Sequence, residues 1–294
     1  MGIEKYIEPG IESVLPFMQA LEVVRQEVTS EQWKDILDNF KSLRMWRYFL
    51  CNDPFTRWAY IKPYGYQGDA TVLDFAYKHK SVAKEIAISG SVGQQIYTYT
   101  SSSKQSHSAR LRIELIASEI NKFSRSISGS MSVASYASGH GRELELLDES
   151  ARRSIHKFTA LDSDKASLQE LLTSAKDLPV QLINRNLFRY DCDEPEHDFI
   201  YSLGLFDYLN DKQAKVLGAK MWKSLKSGGK MIIANLAHTA GNIGYCEAIM
   251  DWWMITRSQD DMLSIADHIV GKSAVANYES EQIGCFHYLS IVKN

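Results

Sequence analysis

The stretch 133-VASYASGHGRELELL-147 decides how this chain folds. Small and apolar residues typical of a buried strand lead into a turn at Gly139 and Gly141, and residues with helical spacing follow. A strand, a glycine turn and a helix in this order are typical of the first unit of an open α/β sheet. Because a turn with two glycines is equally compatible with a ligand site and with a tight structural turn, the strands that follow it decide between the two.

Short apolar runs alternate with helical patterns over the carboxyl-terminal half of the sequence. The predicted strands are 131–135, 157–162, 180–184, 198–203 and 229–236, and the predicted helices are 142–152, 164–176, 211–226 and 244–267. Such alternation predicts right-handed crossovers and a parallel sheet with helices on both faces. The last two extended segments, 272–280 and 285–293, leave little room for a helix between them, which predicts an antiparallel pair at the sheet edge.

The first part of the chain has a mainly helical pattern. Apolar residues recur at helical spacing over segments 11–28, 31–50, 70–89 and 105–124, and Thr29 with Ser30 forms a predicted helix N-cap. We therefore predict an α/β fold in two parts. Residues 126–294 form a Rossmann-like, doubly wound, mostly parallel sheet with an antiparallel carboxyl-terminal hairpin, and residues 1–125 form an N-terminal helical lid region on the substrate side.

Composition narrows the classes of partner. With 294 residues and a net charge of −3, the chain lacks the basic excess of a nucleic-acid-binding domain. No apolar run approaches the roughly 18–20 residues that span a bilayer, and the amino terminus lacks the pattern of a secretory signal. The cysteines are far apart and form no C-x-x-C pair, which favours reduced thiols in the cytoplasm over a metal site or disulfides; they are Cys51, Cys192, Cys246 and Cys285. The sequence is compatible with a monomer or a homodimer.

Polar residues at the predicted strand ends indicate where a ligand would bind, because open α/β sheets bind ligands beyond the carboxyl ends of their strands. Asp162 ends the second predicted strand about 20 residues after the glycine turn, where a carboxylate accepts hydrogen bonds from ribose hydroxyls. We interpret Asp162 as a ribose ligand and Asp164 as a helix N-cap. Asn186 and Leu187 follow the third strand as candidates to contact an adenine, although a polar loop explains them equally well.

The order of these features resembles the class I S-adenosylmethionine (SAM)-dependent methyltransferases over about residues 130–294. The shared features are the glycine turn, the acid at the next strand end, the 225-LKSGG-229 turn and the terminal hairpin. Dinucleotide dehydrogenases share only the first two, and their third glycine would stand where this chain has Leu144. The resemblance implies SAM as the cofactor. The candidate SAM contacts are Tyr64, Tyr136, Ala137, Gly139, Gly141, Asp162, Ser163, Asn186, Leu187, Ser202, Leu203 and Gly204.

A narrower resemblance extends into the helical region. The methyltransferases assigned to making the 3-hydroxypalmitic acid methyl ester signal have motifs similar to 62-KPYGYQGDATVLD-74, 136-YASGHGRE-143, 201-YSLGLFDYLND-211 and 251-DWWMITRS-258. This chain departs from that family in having Ser138 where Cys is common and His140 where Pro is common. Ser135 replaces the usual acid of the first strand in the family as well as here, which removes one expected contact to the amino group of SAM.

Aromatic and polar residues near the predicted crevice suggest a lid and a substrate side. Aromatic faces attract a sulfonium cation, so we expect the lid to carry Tyr64, Tyr66 and Asp69, although core packing explains each tyrosine equally well. His238 is a candidate base or acceptor-orienting group, with a surface loop residue as the equal alternative. The catalytic candidates are thus Tyr66, Asp69 and His238, with no metal, and the substrate-binding candidates are Tyr97, His107, Asp207, Tyr208, Asn235, Asn242 and Arg257.

These predictions indicate a SAM-dependent methyltransferase acting on a small molecule, with a carboxylate in natural-product or signal biosynthesis as the candidate acceptor. Arg257 would bind that carboxylate, or serve instead as a cation near a helix end. Two other functions use the same predicted pocket. SAM would be the sole substrate of a cyclase or lyase that releases methylthioadenosine, or SAM would bind to a non-catalytic protein.

Overall fold

The amino-terminal part of the chain is helical, as its apolar spacing predicts. The computed structural model describes residues 10–40, 42–191, 195–271 and 274–294. The first helices are α1 (Ile11–Glu27), α2 (Ser30–Asn39), α3 (Leu43–Leu50), α4 (Pro54–Ile61), α5 (Ala70–Tyr77), α6 (Ala83–Ile88), α7 (Gly90–Ser101) and α8 (Lys104–Ser126). Thr29 caps α2 through a reciprocal capping box with Gln32, which confirms the predicted N-cap.

The helices predicted over 31–50 and 70–89 are each divided in two. In the second case α5 ends at Tyr77, and the C-cap residue Lys78 has a φ of +56° in the left-handed region. His79 then caps a short 3-10 turn by accepting a hydrogen bond from the Ser81 N–H. Apolar spacing continues across this break, so the spacing by itself did not reveal it.

The sheet has the predicted topology. Its strands are β1 (Met131–Tyr136), β2 (Ile155–Asp162), β3 (Val180–Asn184), β4 (His197–Ser202), β5 (Leu225–Leu236), β6 (Ala274–Ser280) and β7 (Phe286–Lys293). They lie in the order β3-β2-β1-β4-β5-β7-β6, so strand order reverses between β1 and β4. The pairs from β3 to β5 are parallel, while β7 is antiparallel to both β5 and β6. This confirms the mostly parallel sheet with an antiparallel hairpin; of the predicted segment 272–280, Lys272 and Ser273 lie outside the described residues.

The helices between the strands are shorter than predicted. They are α9 (Glu149–Ser154), α10 (Lys165–Ala175), α11 (Asp211–Ser224), α12 (Ile243–Ala248) and α13 (Gln259–Val270). The helix predicted over 142–152 is instead a 3-10 turn, Arg142–Leu146, followed by α9, because Asp148 starts a new helix by accepting a hydrogen bond from the Ala151 N–H.

The helix predicted over 244–267 is wrong between α12 and α13. Residues 251–256 are not helical, and Asp251 has a φ of +49°. Ser258 then begins α13 with a capping box to Asp261. The apolar residues between the two helices satisfy a helical pattern, but Ile255 donates its N–H to the Asp207 carbonyl over 2.6 Å, and this contact with a distant part of the chain replaces the helical bond.

The chain divides into two compact units. The helical unit runs to Arg110 and includes Ala240–Trp253, and the sheet unit comprises Leu111–Thr239 and Met254–Asn294. This division differs from the predicted boundary at 125/126 because α8 spans both units and because the segment after β5 packs among amino-terminal helices. Within the helical unit, for example, Tyr245 bonds through its hydroxyl to Thr56 over 2.8 Å. Of the helices in the described parts of the chain, none combines the length and apolar character that a bilayer crossing requires.

Candidate functional site

The turn after β1 has three residues in the left-handed region of backbone space. The φ angles are +56° at Ala137, +51° at Gly139 and +59° at Gly141. This conformation costs an L-residue roughly 1–2 kcal/mol, so Ala137 is held there by its surroundings. The N–H of Ser138 donates to the Leu161 carbonyl over 3.1 Å, which fixes the turn against β2.

Asp162 lies at the end of β2 and binds this turn directly. Its Oδ2 atom accepts a hydrogen bond from the Gly139 N–H over 2.9 Å, and burial raises the pKa of its carboxyl group. The Asn184 side chain donates to the backbone carbonyls of Asp162 and Ser163 over 3.1 and 2.9 Å. Sequence reasoning did not single out Asn184. Its side chain orders the loop that carries the predicted SAM contacts Asp162 and Ser163. Asp164 caps α10 through the Ala166 N–H, as predicted.

The ends of β3 and β4 carry the remaining candidates of the sheet unit. Asn186 accepts a hydrogen bond from the Phe188 N–H and thereby caps the 3-10 turn that buries Leu187. At the end of β4, the Ser202 hydroxyl is buried and has no hydrogen-bond partner among the described residues. Leu203 and Gly204 follow it directly, so their backbone lies beside the same strand end.

Tyr136 lies in the core of the sheet unit. Its side chain is buried, its hydroxyl contacts the Ser224 hydroxyl on α11 over 3.1 Å, and its ring packs edge-on against Tyr190. Because side chains alternate across a strand, a position at a strand end does not fix which face of the sheet its side chain occupies. The Tyr136 ring therefore packs in the core of the sheet unit, and its contact with SAM stays a prediction.

The structure brings to this end of the sheet a carboxylate that sequence reasoning missed. Glu143 is 4% exposed, and its Oε1 atom accepts a hydrogen bond from the Tyr201 hydroxyl over 2.5 Å. Tyr201 lies in register with Ser135 on the neighbouring strand. Burial raises the pKa of the Glu143 carboxyl group. The one signal in the sequence is the position of Glu143 directly after the glycine turn, and helical spacing did not indicate that its side chain is buried.

Arg112 on α8 is a second buried charge near the end of β4. Its Nη1 atom donates to the Leu203 carbonyl over 2.7 Å, and its guanidinium lies 4.4 Å from the ring centre of Phe286. The positive charge opposes the rise in pKa that burial causes at Glu143 and at Asp207. Arg112 therefore stabilises the charged forms of two carboxyl groups in the sheet unit.

Three predicted substrate contacts are instead joined in a buried network. Asp207 accepts a hydrogen bond from the Leu236 N–H over 2.6 Å, and burial raises its pKa to about 6. The Arg257 guanidinium donates to Asn235 Oδ1 and, over 2.8 Å, to the Phe206 carbonyl. The polar groups of Asp207, Asn235 and Arg257 are thus bonded to the protein itself. They hold the end of β5 and the segment before α13, and their role in binding a substrate stays a prediction.

The remaining candidates after β4 and β5 lie in different surroundings. The His238 side chain is 57% exposed, with Nδ1 2.7 Å from the Thr256 hydroxyl and Nε2 3.6 Å from Asp261. Tyr208 is half-buried in the short turn after β4. Asn242 has a φ of +75° and begins α12, within the helical unit. His238 and Asn242, close in sequence, therefore belong to different units.

The candidates of the helical unit have distinct local roles. Asp69 caps α5, and both of its carboxylate oxygens lie 3.2 Å from the Trp58 indole nitrogen, which donates to them. Tyr97 is buried and donates its hydroxyl proton to the Phe75 carbonyl, and burial raises its pKa to about 12. Asp69 and Tyr97 thus stabilise the unit itself.

Other predicted residues of the helical unit lie at its surface. Tyr64 and Tyr66 are exposed in the turn-rich segment before α5, and His107 is exposed on the first turns of α8. Across the described parts of the chain, no three His, Cys, Asp or Glu side chains form a cluster that would hold a metal ion. Cys51 and Cys246 carry free thiols, and Cys192 lies outside the described residues.

Comparison with known proteins supports the fold. No family model matches the chain. No curated protein matches its sequence. The structure is similar to that of a possible exported protein from Bordetella parapertussis, with a TM-score of 0.69 and 15% identity over 99% of both chains. It is also similar to the apo form of an S-adenosylmethionine-dependent methyltransferase, SibL, with a TM-score of 0.51 and 13% identity.

The alignment with SibL covers 71% of this chain and 61% of that methyltransferase. At these identities the likeness shows a shared fold. The chain therefore has the Rossmann-like fold that is also found in SAM-dependent methyltransferases, in agreement with the strand order β3-β2-β1-β4-β5-β7-β6.

Proposed function

We propose that this chain is a SAM-dependent methyltransferase that acts on a small molecule. The observation that carries the proposal is the hydrogen bond between the Gly139 N–H and Asp162 beside the point where strand order reverses. Open α/β sheets bind nucleotide-like ligands at such a point. Each carboxylate oxygen has two lone pairs, so Asp162 has acceptor capacity left for ribose hydroxyls after bonding the turn.

The residues of the sheet unit suit the groups of SAM. The buried Ser202 hydroxyl, which has no partner among the described residues, would be satisfied by a polar group of the ligand. The left-handed turn at Gly139 allows a ligand to approach the backbone closely. The proposed contacts are Ala137, Gly139, Gly141, Asp162, Ser163, Asn186, Leu187, Ser202, Leu203 and Gly204.

When bound, SAM supplies an electrophilic methyl group on a sulfonium, which an acceptor atom displaces in line. The chain must hold the acceptor close to that methyl group and exclude water. Together these effects lower the activation free energy by several kcal/mol. A carboxylate acceptor has no proton to lose at neutral pH, so it needs no base. For a hydroxyl or amine acceptor, His238 is the candidate base, and its Nε2 atom lies 3.6 Å from the Asp261 carboxylate.

The resemblance to methyltransferases of the 3-hydroxypalmitic acid methyl ester signal suggests a carboxylic acid as the acceptor. Transfer of label from methyl-labelled SAM to 3-hydroxypalmitate is therefore the first assay. Label transferred to an ester supports carboxyl methylation. Label retained in methylthioadenosine would instead identify a SAM cyclase or lyase, and SAM binding without turnover, across a panel of acids, alcohols and amines, would indicate a binding protein.

The predicted roles of Tyr64 and Tyr66 at the sulfonium remain part of the proposal and need their own test. Exchange of Tyr66 for Phe and of Asp69 for Ala would leave SAM affinity and turnover unchanged if the helical unit has no part in the site. Because Asp69 caps α5, the unfolding temperature of the Asp69 variant must be measured as well. The free thiols of Cys51 and Cys246 support the proposal that the protein functions in the reducing cytoplasm.

A further inference from the structure

The end of β1 lacks the carboxylate that would balance a cationic ligand group. Ser135 stands there, next to the last strand residue, and its register partner on β4 is Tyr201. Side chains of register partners on neighbouring strands lie on the same face of a sheet. The Tyr201 hydroxyl donates to Glu143 over 2.5 Å. Through this bond, a carboxylate that follows the glycine turn is brought to the face and the strand end occupied by Ser135.

Glu143 is buried without a cation in contact. Its residue is 4% exposed, and no ion pair joins it to any of the described residues. Arg142, its chain neighbour, directs its guanidinium to Glu145, Ser174 and Glu170 instead. Arg112 and Arg142 both oppose the rise in the pKa of Glu143 through their charges, and Arg112 Nη1 donates to the Leu203 carbonyl. A buried carboxylate without a contacting cation is costly, and such groups are characteristic of binding sites.

We propose that Glu143 binds the ammonium group of the methionine end of SAM, in place of the acid that β1 lacks. This inference rests on the proposed function. An ammonium group has three N–H donors, so it would satisfy the remaining acceptor sites of the carboxylate and neutralise its charge at once. Tyr201 is then a positioning residue, because its hydroxyl fixes the orientation of Glu143.

The sulfonium is the other cation of SAM, and two arguments assign Glu143 to the ammonium instead. A sulfonium offers no N–H or O–H donor to a carboxylate. In addition, a carboxylate beside the sulfonium would stabilise the positive charge that disappears during methyl transfer, and so would favour the ground state over the transition state. A carboxylate at the ammonium stabilises both states equally and serves binding alone.

Three ligands separate these assignments in calorimetric titrations at neutral pH. S-adenosylhomocysteine keeps the ammonium but has a neutral sulfur, methylthioadenosine lacks both cations, and SAM has both. We expect Glu143→Gln to weaken binding of SAM and S-adenosylhomocysteine by about 10- to 100-fold, the effect of losing a charge-assisted hydrogen bond. Binding of methylthioadenosine should change by less than about threefold, since that ligand does not reach Glu143.

Glu145→Gln is the matched control, because Glu145 lies in the same turn and accepts hydrogen bonds from Arg142 and Ser174. It should leave the ratio between the affinities for S-adenosylhomocysteine and methylthioadenosine unchanged. Tyr201→Phe should weaken the binding of S-adenosylhomocysteine by about 3- to 10-fold, as expected for the loss of one orienting hydrogen bond. The affinity for methylthioadenosine should stay unchanged. Retained binding of methylthioadenosine shows in each case that the variant has folded.

The other outcomes overturn the inference in distinguishable ways. Unchanged affinity of Glu143→Gln for all three ligands would show that this carboxylate takes no part in binding. An equal loss for all three would make Glu143 a purely structural residue, and a loss for SAM alone would assign it to the sulfonium. If the wild-type chain binds neither SAM nor S-adenosylhomocysteine, the proposed function itself fails, and this inference with it.

Discussion

The Asp162 carboxylate joins two loops: Oδ2 accepts a hydrogen bond from the Gly139 N–H, and Oδ1 accepts one from the Asp164 N–H, both over 2.9 Å. A single side chain thus holds the turn after β1 and the loop after β2 in one arrangement. Because these two loops flank the proposed ribose position, Asp162 would order the site even before a ligand binds.

Exchange of Asp162 for Asn should therefore impair cofactor binding. The amide has one acceptor oxygen instead of two, so it cannot hold both loops and also accept bonds from a ribose. We expect SAM affinity to fall by about 10- to 100-fold, equivalent to roughly 1.5–3 kcal/mol for hydrogen bonds to a charged group. Calorimetric titration measures the loss.

The control is Asp164→Ala in the same loop. Asp164 caps α10 by accepting a hydrogen bond from the Ala166 N–H over 2.9 Å, so this variant should lose about 1 kcal/mol of stability and keep its SAM affinity. If Asp162→Asn bound SAM as tightly as the wild type, Asp162 would not be a ribose ligand.

Gly141→Ala should destabilise the chain through both its backbone and its packing. The φ of +59° is unfavourable for Ala, and a Cβ atom there would lie 3.0 Å from the Leu171 side chain. We expect a loss of about 2–3 kcal/mol in the free energy of unfolding from the two effects together. Denaturant titration measures it, with Gly228→Ala as the reference.

Gly228 has a φ of +77°, but a Cβ atom there would meet no atom within 4 Å. Its exchange for Ala should cost only the backbone contribution of roughly 1–2 kcal/mol. Equal losses in the two variants would show that the turn after β1 does not pack tightly against α10.

His197 should make the fold sensitive to acid. Neither of its ring nitrogens has a hydrogen-bond partner among the described residues, and burial lowers its pKa from 6.5 to about 4. Below pH 6.5 the unfolded chain therefore binds a proton that the folded chain does not, and stability is lost as the pH falls from 6.5 towards 4. Between pH 7.5 and pH 5 this loss amounts to about 2 kcal/mol.

His197→Leu removes that proton linkage, so its free energy of unfolding should fall by about 2 kcal/mol less than that of the wild type over the same pH interval. His156→Leu, at an exposed position on β2, should keep the full acid sensitivity. A wild-type pH dependence in the His197 variant would mean that other groups cause it.

Arg257→Ala should unfold or strongly destabilise the chain. The buried guanidinium donates to the Phe206 and Leu209 carbonyls and to Asn235, and lies 3.2 Å from Asp211. Removal of one partner of such a buried network costs about 3–5 kcal/mol, which thermal denaturation would reveal. Arg189→Ala, at an exposed position, is the reference. A variant with normal stability but a raised KM for a carboxylate substrate would restore the role predicted from the sequence.

Prediction from the sequence succeeded where local spacing carries the information. The alternating apolar runs, the turn at Gly139 and Gly141 and the short link before β7 predict the sheet and its hairpin, because each depends on neighbours in the chain. The breaks between α5 and α6 and between α12 and α13 were missed. Apolar spacing continues across both, and in the second case Ile255 bonds to the distant Asp207 in the non-helical segment between the helices.

The sequence by itself determined the Rossmann-like architecture, since the alternation of strands and helices and the handedness of their crossovers follow from local patterns. Only the tertiary structure decided which charged residues remain available for a ligand. Asp207 and Arg257 are bonded within the protein, whereas Glu143 is buried, accepts a hydrogen bond from Tyr201 and forms no ion pair with any described residue. Burial and pairing depend on residues far apart in the chain, and no local pattern encodes them.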